Sequence, residues 1–279
     1  MVFLMMRRLI FSFIIVLVLS SCSRLFFFPE KRLLRTPTQL NLVYEDVYFE
    51  TIDKLRLHGW WLPTEKPLAT VLFLHGNAEN ISTHIASVAW LPKAGFNVFL
   101  FDYRGYGLSQ GKPNFKGLHQ DVEAALATVK QRKDVSPNLI LFGQSLGASI
   151  AITSLAASKY KESISGLIID SAFAGFRQIA REKLSDLWIT WPFQWPLSLA
   201  FDNTYKPLEA ISSISPIPVL IIHGAADKVV PVHHAEQLYA AAKEPKKLWI
   251  VPNSGHIQAL NNMKIRQDFL DYLRKMSEL

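Results

Sequence analysis

The sequence predicts an α/β protein built on a mainly parallel, doubly wound sheet with a short helical cap. Two observations carry that prediction. From residue 70 onward, short apolar runs alternate with longer helix-like stretches. Several of those runs end in turns that carry glycine together with His, Asp or Ser, as strand ends facing a site do. Taken in order, residues 43–49 and 55–61 alternate polar and apolar side chains, the pattern of an antiparallel entry hairpin. Residues 71–74, 97–101, 138–142, 166–169, 218–224 and 247–251 read as the core strands. Residues 119–132 and 257–275 are the clearest amphipathic helices, and a further helix begins after Gly147. Residues 174–213 interrupt the alternation and are expected to form the cap. They contain Trp188-Ile189-Thr190-Trp191-Pro192-Phe193-Gln194-Trp195-Pro196. Those aromatics suit an acyl pocket, a bilayer interface, or packing between cap and sheet.

Ser145 stands in Gly143-Gln144-Ser145-Leu146-Gly147, between a strand pattern and a helical one. A serine in such a turn is held in a strained backbone conformation with its Oγ exposed at the sheet edge. To act as a nucleophile it needs a base, and the base needs an acid to orient it. Asp227 falls in the loop after residues 218–224, and His256 in the loop after residues 247–251. In a parallel sheet these loops open on one edge, so distant residues converge there. Ser145 is therefore read as the nucleophile, His256 as the base and Asp227 as the orienting acid. Asp227 alone would also suit a turn or a helix cap, and His256 alone a surface position. Asp170, closing residues 166–169, is the alternative acid, whereas His223 reads as a strand-end residue. The backbone N–H groups of Asn77 and Leu146 are the expected oxyanion donors, because each follows a strand end on that edge. His75 is expected to support the Asn77 loop.

Five motifs recur in order across roughly residues 45–275: His75-Gly76-Asn77-Ala78, the segment from Asp102 to Ser109, the Ser145 turn, Asp227-Lys228-Val229-Val230-Pro231, and Gly255-His256. Together they resemble the α/β-hydrolase superfamily, in the branch of monoglyceride-lipase-like esterases, protein depalmitoylases and certain serine aminopeptidases. The resemblance implies hydrolysis of esters, thioesters or amides with no metal or organic cofactor. A carboxylic ester or thioester with an apolar acyl group is favoured, given the aromatic cap. An aminopeptidase would need an acidic group for the substrate's amino terminus, and the cap offers Glu182, Asp186, Asp202 and Glu209. A non-catalytic envelope protein that keeps the fold is the alternative of another class. Arg104 is expected to bond backbone beside the site.

At the amino terminus, Arg7-Arg8 precedes an apolar run from Leu9 to Leu19, followed by Ser20-Ser21-Cys22. A basic start, a short apolar stretch and small residues describe an export signal. The run is about half of the roughly 20 residues that span a bilayer. Leu19-Ser20-Ser21-Cys22 resembles a bacterial lipobox, which implies a signal peptide over residues 1–21 and a lipid on Cys22. An uncleaved signal anchor is the alternative. Both place the protein in the cell envelope, tethered to a membrane and facing away from the cytoplasm. Residues 22–42 are expected to be a tether and residues 43–279 the catalytic domain.

Cys22 is the only cysteine, which excludes an internal disulfide. The net charge is +7, and Arg7 and Arg8 are the only charged residues before Cys22. The basic excess fits ordinary solubility charge better than contact with an anionic membrane surface, and no motif supports nucleic-acid binding. His233-His234 begin a helix, where adjacent side chains diverge, so no shared metal site is expected there.

Overall fold

The computed structural model describes residues 26–277 apart from 187, 200 and 202. The expected signal peptide and Cys22 lie outside the described residues, as does Asp202. Among the described residues no helix is long and apolar enough to cross a membrane.

The chain lays down β1 (Phe28–Pro29), β2 (Glu45–Glu50), β3 (Arg56–Leu62), β4 (Ala69–Leu74), β5 (Ala78–Glu79), β6 (Phe96–Asp102), β7 (Leu139–Gln144), β8 (Ile164–Asp170), β9 (Val219–Gly224) and β10 (Lys246–Val251). Eight of them form one sheet in the order β10-β9-β8-β7-β4-β6-β3-β2. Pairing is parallel from β10 to β6 and antiparallel only where β3 meets β6 and β2. The entry hairpin is thus the antiparallel edge of a parallel sheet, as the sequence pattern predicts. Side chains alternate between two apolar layers, the period-two signature of strands covered on both faces. Leu72 and Leu74 enter one layer while Val71 and Phe73 enter the other, and Phe99 and Phe101 oppose Val98 and Leu100 in the same way.

The helices are α1 (Ile81–His84), α2 (Phe115–Gln131), α3 (Leu146–Ala157), α4 (Phe176–Ser185), α5 (Gln194–Ser198), α6 (Pro207–Ala210), α7 (His233–Ala241) and α8 (Met263–Met276). Two of them differ from the periodicity reading. Helix α2 starts at Phe115, because the Asn114 side chain accepts the Gly117 N–H at 2.8 Å and caps it earlier. Helix α8 starts only at Met263: Ile257 has φ 51°, outside the helical region, and Asn262 supplies the cap.

Arg104 also departs from expectation, since it bonds carboxylates rather than backbone. Its guanidinium reaches Asp121 at 2.8 Å and Asp53 at 2.9 Å, and it is 4% exposed over a fully buried Asp121. Burial pushes Asp121 up to about 6, against the pull of Arg104. Removing the cation would strand a buried carboxylate, so Arg104→Ala is expected to cost about 3–5 kcal/mol in a denaturant titration. A loss below about 1 kcal/mol would show that water or Lys replaces the cation without penalty.

The tether expected at residues 22–42 is, over its described part, a strap bound to the domain. Strand β1 pairs in parallel with β5, in the loop that carries Asn77. The Asn80 side chain donates to the carbonyls of Glu30 and Arg32 at 2.9 Å each. The Leu34 N–H donates to Ser82 Oγ at 2.9 Å, and Phe27 is buried.

Candidate active site

The sharp turn between β7 and α3 holds Ser145 at φ 53°, ψ −116°. A non-glycine residue pays for that geometry, and its surroundings must hold it there. Part of the holding is a hydrogen bond from the Ser145 N–H to the Asp170 carbonyl at 2.8 Å. The rest is close packing of backbone. A Cβ on Gly147 would lie 2.1 Å from the Leu74 carbonyl oxygen, and one on Gly143 would lie 2.4 Å from that of Gly147. Both glycines are therefore fixed by approach distance.

Three loops from the carboxyl edge of the sheet meet at this turn. Ser145 Oγ and His256 Nε2 are 3.0 Å apart, and His256 Nδ1 and Asp227 Oδ2 are 2.8 Å apart. A carboxylate only accepts, so Nδ1 carries the ring proton and Nε2 is left to accept from the Ser145 hydroxyl. The other Asp227 oxygen accepts the N–H groups of Val229 and Val230 at 2.8 and 2.9 Å. Burial alone would raise the Asp227 carboxyl. The bonds from His256, Val230 and Val229 outweigh it and hold the group below its ordinary range. Asp227 thus stays ionised where it faces the imidazole.

Asp170, the alternative acid, sits behind the site. Its carboxylate accepts Gln144 Nε2 at 2.9 Å and Ser171 Oγ at 3.1 Å, and burial pushes it up to about 6. Its part is to anchor the turn through its main-chain carbonyl. His223 is buried, and its Nε2 lies 2.8 Å from the Val230 carbonyl and 3.4 Å from Asp227 Oδ2, so it braces the acid loop. His75 is buried too, with Nδ1 bonded to the Gly76 carbonyl at 2.7 Å. Burial, with His84 beside it, drives it well below its ordinary value, which keeps it neutral.

Ser145 opens on an apolar cavity of about 590 Å³. Asn77 and Leu146 both line it, beside Phe173, Ile179, Leu184 and Phe201. Sequence reasoning missed two of its walls, Phe26 and Phe28, because both were assigned to the tether. The signal was present in the sequence: three consecutive phenylalanines are out of place in a solvated linker. Phe26 packs edge-on to Phe173, Phe176 and Phe201, and its carbonyl accepts the Asn77 side-chain amide. Tyr106 Oη donates to the Asn77 carbonyl at 2.8 Å. The loop carrying Asn77 is therefore clamped from both sides. The cap tryptophans do not line the cavity; Trp188, Trp191 and Trp195 are exposed.

One cluster corrects the view that His233 and His234 diverge. Their rings stack with centroids 4.5 Å apart, and both Nε2 atoms reach the Glu182 carboxylate, at 3.2 and 2.9 Å. Both histidines lie in the first turn of helix α7, where the Glu182 carboxylate draws their rings together. The three ligand atoms lie within 4.8 Å of one another. His234 Nδ1 accepts the Ala174 N–H at 3.1 Å, however, so Nε2 keeps the proton and donates it to Glu182. The donors are spent on one another, and the cluster latches cap helix α4 to the start of helix α7.

The fold and this edge define a class before they define a relative. Residues 65–199 match the family described as serine aminopeptidase, S33. The uncharacterized protein YfhR of Escherichia coli K12 is 39% identical over 238 residues, covering 82% of this chain and 80% of its own. The Arabidopsis thaliana α/β-hydrolase domain-containing protein WAV2 is 33% identical, covering 79% and 74%. Among solved structures, the Pyrococcus furiosus esterase Pf2001 superposes with a TM-score of 0.72 at 25% identity, over 91% of this chain and 97% of the esterase. The chain belongs to the α/β-hydrolase family, and it is a hydrolase by that membership.

Proposed function

We propose that this hydrolase is a serine esterase or thioesterase acting through an acyl-enzyme. The observation that carries the reading is the relay of Asp227, His256 and Ser145 opening on a cavity with apolar walls. In the first half-reaction Ser145 Oγ bonds to the acyl carbon as His256 Nε2 takes its proton. The backbone N–H groups of Leu146 and Asn77 receive the charge that develops on the carbonyl oxygen. The bond to the leaving alcohol or thiol then breaks, and His256 returns the proton to it. In the second half-reaction His256 deprotonates a water that attacks the acyl-enzyme, and Ser145 departs with the proton restored. Asp227 keeps the imidazole in the needed tautomer throughout. Asp227→Asn is therefore expected to lower kcat by about 10⁴-fold while KM changes little, as stopped-assay kinetics on a p-nitrophenyl ester would read.

The S33 family name favours a second reading, a serine aminopeptidase. The cavity chemistry opposes it. A protonated amino terminus needs an anionic partner, and the one ionisable side chain lining this cavity, among the described residues, is the cation of Lys183. Of the cap acids, Glu182 is bound by His233 and His234, Asp186 by Lys183 and Glu209 by Lys206. Assays with p-nitrophenyl acyl esters and with aminoacyl-anilides decide between them. Turnover of the anilides alone would replace the esterase reading with the peptidase one. Turnover of neither by folded protein would favour a binding protein that keeps the fold. The membrane side of the proposal is a lipid on Cys22 that holds the enzyme in a bacterial cell envelope, facing away from the cytoplasm. It is supported by the lipobox-like Leu19-Ser20-Ser21-Cys22 and the basic, apolar leader before it.

A further inference from the structure

The cap segment between Leu184 and Phe201 puts unusual side chains into water. Trp188 is 86% exposed, Trp195 64% and Trp191 59%, with Ile189, Phe193 and Leu199 also exposed. Single exposed apolar residues are ordinary, but a run of this size open to solvent among the described residues marks an interaction surface. Its chemistry is mixed in a particular way. The Arg181 guanidinium, from helix α4, lies 4.3 Å over the Trp195 ring. Indoles beside cations suit the headgroup level of an anionic bilayer, where rings bury their faces and cations meet phosphate.

Position fixes the occupant further. Leu184 and Phe201, which bracket the run, both line the cavity that opens on Ser145. Phe28 and Val229 complete the same rim and are themselves 61% and 50% exposed. The strap leads to the same place from the amino-terminal side. Cys22, the proposed lipid anchor, is four residues from Phe26, a reach of at most about 14 Å for an extended chain. A membrane that takes up the Cys22 lipid therefore lies within one short span of the cavity mouth.

We infer that the cap face docks on an anionic lipid bilayer, with the cavity mouth turned to it, so that the acyl chain enters from the membrane. Docking stands on the surface alone; the identity of the acyl substrate rests on the esterase reading.

The test uses the full chain reconstituted in vesicles of phosphatidylcholine and phosphatidylglycerol, with or without bromine on the acyl chains. The emission of Trp188, Trp191 and Trp195 is the difference between wild type and the W188S/W191S/W195S variant. Bromolipid is expected to quench that emission by about twofold. The variant is expected to lose about tenfold in turnover of a long-chain ester carried in the vesicle. It should keep its turnover of soluble p-nitrophenyl butyrate. Unquenched emission overturns the inference. So does a photoreactive group at position 191 that crosslinks to residues 22–25 or to a second copy instead of lipid. Quenching in a protein that never turns over p-nitrophenyl butyrate would sink the esterase reading and leave docking in place.

Discussion

Replacing Ser145 with alanine is expected to lower kcat on p-nitrophenyl esters by about 10⁴–10⁶-fold, and to abolish labelling by a fluorophosphonate. In the proposed mechanism the Ser145 oxygen bonds to the acyl carbon, and its loss removes the nucleophile. His256→Ala should cost nearly as much, because without a base the Ser145 proton has nowhere to go. The double variant should then be scarcely slower than either single one, since the two side chains act as one relay. That non-additivity is the sharper readout. Two independent binding contacts would multiply their losses instead. Unchanged labelling of Ser145→Ala would move the nucleophile elsewhere and end the proposed mechanism.

The second large effect is on folding. Gly147→Val would set a branched side chain where a single Cβ already falls 2.1 Å from the Leu74 carbonyl oxygen and 2.4 Å from that of His75. Both are backbone atoms of the strand β4 end and the loop leading to Asn77, and they cannot yield as a flexible side chain would. Relief would require α3 to lift from the sheet, opening the layer that packs Leu146, Ala148 and Ile150. We expect a loss of more than about 4 kcal/mol, in the range reserved for core disruption. Thermal melting and soluble yield check it. A variant that folds with unchanged Tm would mean the turn is looser than its geometry.

What the sequence carried best was local. A strand ending in Gly-Gln-Ser-Leu-Gly, and loops holding Asp227 and His256 after later strands, can be read residue by residue, because strand direction alone sends them to one edge. What it hid depended on partners distant in the chain. Arg104 finds Asp53 and Asp121, 51 and 17 positions away. Glu182 finds two histidines 51 and 52 positions on. The strap was hidden for the same reason, since nothing within residues 26–34 announces that Asn77, Asn80 and Ser82 are its acceptors and donors. Helix ends were blurred for a different reason: amphipathic periodicity continues across Ile257, where a positive φ breaks the helix.

The strap also redraws where the enzyme starts. By composition the folded unit begins near residue 43, but the hydrogen bonds bring its edge to Phe26, the first described residue. During synthesis this segment is made first and seated late, since its partners in residues 76–109 must be folded before it can dock. Closing that long loop costs entropy that only the finished domain repays. The loop carrying Asn77 is thus completed by the first described stretch of the chain, so completion of the cavity is expected late in folding rather than early.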